Sequence, residues 1–143
     1  MDDPMRAFLE RNHAAAMTTL RADGTPHVAR VGVALVDGKV WSSGTQTRVR
    51  TKHLRRDSRS TLFVFDNEWR WLGTECTVTI LDGPDAPELN LRLFQVIQRG
   101  MPVPSGQINW FGRMVSHEEF LETMVEEQRL IYEFDVIRSY GAY

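Results

Sequence analysis

The chain has 143 residues, enough to bury one self-sufficient core and short for two, so a single domain is expected. Hydrophobic residues at 42% and charged residues at 25% match an ordinary globular protein and exclude a disordered or fibrous architecture. The net charge of −2 conceals an uneven distribution: Arg48, Arg50, Lys52, Arg55, Arg56 and Arg59 stand against Asp57 alone, so residues 48–59 carry +5 and the remainder −7.

In chain order, the start Met1-Asp2-Asp3-Pro4 is acidic where a secretory leader is basic. No later stretch is apolar and long enough to span a bilayer, so a cytoplasmic protein without a membrane partner is expected. Pro4 to Asn12 reads as a short helix, with Met5, Phe8 and Leu9 at helical spacing. Ala14 to Leu20 suits a strand, Ala22-Asp23-Gly24-Thr25-Pro26 supplies turn chemistry, and Val28 to Val36 reads as one β-branched strand. Asp37-Gly38 before Lys39–Ser43 is the strongest hairpin signal in the chain, because a tight primed turn needs positive φ at its centre.

From Thr47 to Arg56 the pattern turns helical, with Val49, His53 and Leu54 sharing a face. Thr61 to Phe65 is a compact apolar strand, and Trp69 to Leu81 reads as a long one ending at Asp82-Gly83-Pro84. Trp69 and Trp71, two apart on that strand, would face one side and either wall a ligand pocket or bury at a subunit contact. Leu89, Leu91, Leu93, Phe94, Val96 and Ile97 suggest a helix, which Gly100, Pro102 and Pro104 end. Met101 to Gly112 reads as an irregular loop, whose Trp110 and Phe111 either cover a planar substrate or anchor the loop itself. Ser116-His117-Glu118-Glu119 is a capping box opening a helix to about Gln128, and Arg129 to Val136 returns to strand before a tail.

Familiar catalytic signatures are absent: there is no G-x-G-x-x-G, no Walker loop, no G-x-S-x-G and no H-E-x-x-H. His13, His27, His53 and His117 lack metal-ligand spacing, and Cys76, the only cysteine, precludes an intramolecular disulfide or a thiolate cluster within one chain. What remains is the basic segment. Arg48 and Arg50 precede a helix and Lys52 lies in its first turn, where free backbone N–H groups favour an anion such as phosphate. A local basic site on an acidic protein favours a discrete anionic ligand over general attachment to nucleic acid. A solvated basic helix face paired with acidic neighbours is the competing reading.

The order of strand, Gly-Thr-Pro-His turn, strand, Asp-Gly turn, strand ending Trp41-Ser42-Ser43, then Thr47 through Arg59 and an apolar strand resembles the pyridoxamine-phosphate-oxidase-like, flavin-binding split-barrel superfamily. It is similar in particular to the branch that uses the deazaflavin coenzyme F420. There a "Leu-Arg-Arg-Asp-Pro-Arg" run follows two spaced basic residues; here Leu54-Arg55-Arg56-Asp57-Ser58-Arg59 departs from it only at Ser58. Val136 to Gly141 also looks like the family's closing strand, and the likeness is weak from Gly83 to Gly112. The resemblance implies a mainly β split barrel, antiparallel and Greek-key-like with flanking helices, acting as a homodimer with cofactor sites at the interface. It implies that Arg48, Arg50 and Lys52, with the interleaved Val49 and Thr51, hold the cofactor's phosphate. Arg30, Val31, Gly32 and Val33 would lie along the ring with Ser42 and Ser43, and Gly32 would permit close approach.

The expected function is then hydride transfer from reduced deazaflavin to an unsaturated small-molecule substrate. The alternatives are an FMN enzyme of the pyridoxamine-phosphate oxidase type and a non-catalytic cofactor- or haem-binding module.

Overall fold

The computed structural model describes residues 1–143. Its elements are α1 (Asp3–Arg11), β1 (Ala14–Leu20), β2 (Pro26–Gly32), β3 (Ala34–Val36), β4 (Lys39–Thr45), α2 (Val49–Arg56), β5 (Arg59–Phe65), β6 (Trp71–Leu81), α3 (Ala86–Ile97), β7 (Gln107–Trp110), β8 (Arg113–Ser116), α4 (His117–Glu126) and β9 (Arg129–Ala142). Seven strands form one antiparallel sheet in the order β2-β1-β5-β6-β9-β4-β3. β2 and β3 lie at opposite edges of that sheet, yet only Val33 separates them in the chain. The sheet must therefore curl until its edges nearly meet, which makes it a split β-barrel.

This step at Val33 divides the single strand expected over Val28 to Val36. Gly32 ends pairing with Ala14, and Ala34 begins pairing with Trp41. The backbone between them is held from outside either ladder: Val33 N–H donates to the His13 carbonyl at 2.8 Å, and Ser42 Oγ donates to the Gly32 carbonyl at 2.7 Å. The expected hairpin turn forms, with Asp37 at φ 50° and Gly38 at φ 78°, the two positive values a primed turn demands.

Alternation fills the barrel. Ala15 and Met17 of β1, Leu62 and Val64 of β5, Leu72 of β6 and Leu130, Tyr132 and Phe134 of β9 point inward and are buried. Met5, Phe8 and Leu9 of α1 join them near the start of β1, and Leu54 of α2 joins them near its end, so the two helices close opposite ends. Helix α1 is set by Asp2, whose Oδ1 accepts from Met5 N–H at 2.9 Å. Helix α3 covers the outer face of β3, β4 and β9 through Leu93 against Ala34, Val36, Trp41 and Ile131.

Three further expectations change. Residues 101–112 are not wholly irregular: Gln107–Trp110 pairs with Arg113–Ser116 as a hairpin on α4, packed by Ile108, Val115, Phe120 and Met124. That hairpin is too short and too mixed in polarity to show a period. The last strand runs on through the tail to Ala142, because residues 138–142 pair with β6 beyond a bulge at Glu75/Cys76. Trp69 lies in the loop before β6, and only Trp71 is on the strand. Helix α4 begins as expected, with Ser116 Oγ accepting from Glu119 N–H at 3.1 Å, but the Glu119 carboxylate turns to Arg113 at 2.9 Å instead of reaching back. No helix is long and apolar enough to cross a membrane.

Candidate functional site

At the barrel seam a cleft of about 590 Å³ opens between β2, the end of β4 and α3. Its apolar part is walled by Val31 and Gly32 on one side and by Leu93, Phe94 and Ile97 on the other, with Phe111 at the rim. Its other end is cationic, lined by Arg48, Arg50 and Arg129. These same three arginines border a second, polar groove of about 730 Å³ that continues past His27, Thr45, Thr47 and Val49. The two hollows form one path from an apolar slot at the seam to a polar trough at the start of α2, where the three arginines share the lining with Glu126 and Glu127.

Fold geometry explains the basic end. Arg48 is the extended N-cap of α2 and supplies no side-chain cap, so the first N–H groups of the helix are left without a side-chain acceptor from it. Arg50, in the first turn, lies with its guanidinium 5.8 Å from the centre of the Tyr132 ring. Its Nε is buried without a hydrogen-bond partner, and burial pushes its pKa down against the opposing pull of Tyr132.

Tyr132 is fully buried, and burial raises its pKa. Its position rests on two residues. Thr51 Oγ1 spends its one proton on the Thr45 carbonyl at 2.6 Å, so the Tyr132 hydroxyl donates to Thr51. A Cβ on Gly44 would come within 2.3 Å of the Tyr132 ring, so only glycine leaves room for it.

The six cations of residues 48–59 divide sharply. Arg48 and Arg50 line the cleft and have no carboxylate partner. Arg55 pairs with Asp82 at 2.9 Å, Arg59 pairs with Asp57 at 2.8 Å, and Arg56 donates to the Leu20 carbonyl. Arg59 holds the Asp57 carboxyl down to about 2. Lys52 is exposed and lines neither part of the path.

The remaining candidates also divide. Val31, Gly32 and Ser43 line the cleft, Arg30 flanks it from the outer face of β2, and Val49 borders the polar groove. Val33 is buried in the barrel, Ser42 is fully buried at the seam, and the hydroxyl of Thr51 is committed to the core. Gly32 has room to spare, since an added Cβ would meet nothing nearer than 3.8 Å. Trp69 is 69% exposed beside Arg70, and Trp71 stacks on Phe63 at 5.3 Å on the outer sheet face, so neither reaches the cleft. Trp110 lies behind it, packed edge-on against Phe94 and Phe120, with the Arg129 guanidinium 5.2 Å from its ring centre.

Sequence reasoning passed over several lining residues. Arg129 is 81 residues from Arg48, and no local signal links them; the antiparallel pairing of Thr45 with Arg129 brings them together. Its side chain is only 10% exposed and is oriented by Glu127 at 2.7 Å. Leu93, Phe94 and Ile97 read simply as one apolar helix face, and His13 as an isolated histidine.

The trough lies where β4 gives way to α2, and the match of this split barrel to known proteins is direct. The family model for pyridoxamine 5'-phosphate oxidase matches residues 1–107, and the chain belongs to that family. Over 107 residues it is 33% identical to the F420H(2)-dependent biliverdin reductase of Mycobacterium tuberculosis (strain CDC 1551 / Oshkosh), covering 73% of this chain and 77% of that relative. Among solved structures, a conserved hypothetical protein of Mycobacterium tuberculosis superposes with a TM-score of 0.75 at 19% identity, over 99% of this chain and 84% of that one. A protein described as F420 reductase superposes with a TM-score of 0.71 at 18% identity, over 98% of each chain. At such identities these two likenesses are of fold.

Proposed function

We propose that the chain is an oxidoreductase that binds the reduced deazaflavin coenzyme F420 along the cleft and reduces an unsaturated small molecule. The observation that carries this reading is the continuity of an apolar slot with a trough in which Arg48 and Arg50 have no carboxylate partner. A planar ring with an anionic tail has just that division of polarity. The residues present fit such a group: Arg50 keeps a buried Nε without a partner, and Gly32 lines the cleft. The 33% identity to an F420H(2)-dependent enzyme favours the deazaflavin over FMN.

Bound there, the cofactor supplies the hydride, and the protein supplies position and electrostatics. Arg48 and Arg50 hold the anionic tail, aided by the start of α2. Val31 and Gly32 offer backbone to one side of the ring, while Phe94 and Ile97 cover it from α3 and exclude water. Arg129 closes the basic end from β9.

The partner in this reading is a second copy of the chain. The outer face of β2, β1, β5 and β6 carries no helix, in contrast to the face under α3. Across it runs a row joining Arg30, Ala16, Phe63, Gly73 and Tyr140 by register, flanked by exposed Val28 and Ile137. Burying this row would complete a cleft whose mouth Arg30 flanks. Sedimentation of the purified protein gives a dimer on this reading, and a monomer at micromolar concentration excludes it.

The cofactor assignment is tested by titrating F420 and FMN separately while following fluorescence. Saturable F420 binding is expected; tight retention of FMN with no F420 binding overturns the choice.

A further inference from the structure

The reduction of a double bond needs a proton as well as a hydride, and the cleft offers few groups to deliver one. No carboxylic acid, lysine, cysteine or tyrosine lines it. Its arginines do not surrender protons in proteins, and the Ser43 hydroxyl is bonded to Asn90 Oδ1 at 2.5 Å. The one lining side chain suited to proton transfer near neutral pH is His13.

Three features equip this residue. His13 Nδ1 lies 2.9 Å from the Val33 carbonyl oxygen, which can only accept, so Nδ1 carries a proton and Nε2 is the nitrogen free to exchange one. The backbone carbonyl of His13 is bonded to Val33 N–H, so the residue is tied to the seam at both ends, next to Gly32 and Ile97 in the apolar slot. His13 is also the only residue shared between the cleft and a separate groove of about 420 Å³, lined by Arg6, Glu10, Asp37 and Arg99. It thus forms the partition between the reaction cleft and a second, charged hollow that opens elsewhere on the surface.

We propose that His13 is the general acid of the reduction, passing the Nε2 proton to the acceptor in the cleft and regaining it through the groove behind. The proposal rests on the F420 reading above. In the step, hydride from the reduced cofactor adds to one end of the acceptor's double bond. The π electron pair moves to the other end and takes the proton from Nε2–H. The acceptor gains two electrons and one hydrogen at each end, the cofactor is oxidised by two electrons, and His13 is left neutral. Water in the rear groove, beside Glu10, restores the proton. The charges facing His13 are Arg6 and Glu10 from α1, Arg30 from β2, Asp37 from the β3–β4 turn and Arg99 after α3, with the cleft arginines at its far end.

His13→Asn tests this, because the Asn amide retains a donor to the Val33 carbonyl and lacks the second nitrogen. Biliverdin serves as the acceptor probe and F420 fluorescence as the binding readout. The variant is expected to bind F420 within about threefold of wild type and to lose roughly 100-fold in kcat. The fall of wild-type kcat with rising pH should be absent in the variant. Independently of turnover, nitrogen NMR of histidine-labelled protein should show His13 protonated on Nδ1, and F420 should shift the Nε2 signal. An Nε2–H neutral tautomer, a His13 signal indifferent to F420, or a variant with unchanged kcat and pH profile overturns the assignment and leaves the cofactor reading intact. A wild type that binds F420 but does not reduce biliverdin leaves the NMR result to decide. A wild type that binds no F420 overturns both.

Discussion

The two halves of the basic segment carry three cations each, and those cations meet opposite fates. Arg48 and Arg50 sit at the open start of α2, facing the cleft without counter-charges, whereas Arg55, Arg56 and Arg59 at its far end are consumed by Asp82, the Leu20 carbonyl and Asp57. The difference shows that a charge run is not one functional unit. A cation at a helix start lies among unpaired N–H groups and repels its neighbours, so it is available to an anion; one at the helix end meets carbonyls and carboxylates of the same chain.

Replacing a cation in each half separates the two roles. Arg50→Ala should have the largest effect, weakening F420 by about 10- to 100-fold, or ~1.4–2.8 kcal/mol, the range for a hydrogen bond to a charged group. Fluorescence titration measures it, and an affinity within twofold of wild type would remove the proposed division. Thr51→Val, one position along on the buried side, should act on stability. It leaves the buried Tyr132 hydroxyl without an acceptor, at a cost of about 1–3 kcal/mol in urea unfolding.

His53, on the same buried side, gives a pH-dependent version of that contrast. It is 6% exposed and bonded to Thr19 Oγ1 at 2.9 Å. Burial, with His27, Arg56 and Arg21 adding to it, lowers its pKa from 6.5. The unfolded chain therefore takes up a proton first as pH falls, so the contribution to stability is complete above pH 6.5 and is lost as pH drops below it toward the depressed folded value. His53→Gln should flatten the slope of unfolding free energy over that window. Arg59→Ala should do least: its ion pair is exposed, and F420 affinity and urea midpoint should both stay near wild type, with stability changing by under ~0.5 kcal/mol.

Much of the barrel was legible because its signals are local. The Asp37-Gly38 turn follows from the need for positive φ, and Ser116 caps α4 through a three-residue relation. The break at Val33 was not legible. Val31, Val33 and Leu35 continue an alternating pattern through it, and the change of edge is enforced by the hydrogen bond that Val33 N–H donates to the His13 carbonyl and the one that Ser42 donates to Gly32. Trp69 and Trp71 were grouped by spacing alone, but the Asp66 side chain turns the loop by accepting from Glu68 and Arg70 N–H, which takes Trp69 off the strand.

By itself the sequence determined which residues carry charge near α2, where the turns fall and which faces are apolar, since each depends on neighbours a few positions away. Tertiary structure alone decided which cations stay free, that Arg129, paired with Glu127, lines the same cleft, and that His13 stands between two hollows. Those outcomes depend on strand register and sheet closure, which bring together residues tens of positions apart and settle the competition for every hydrogen-bond partner at once.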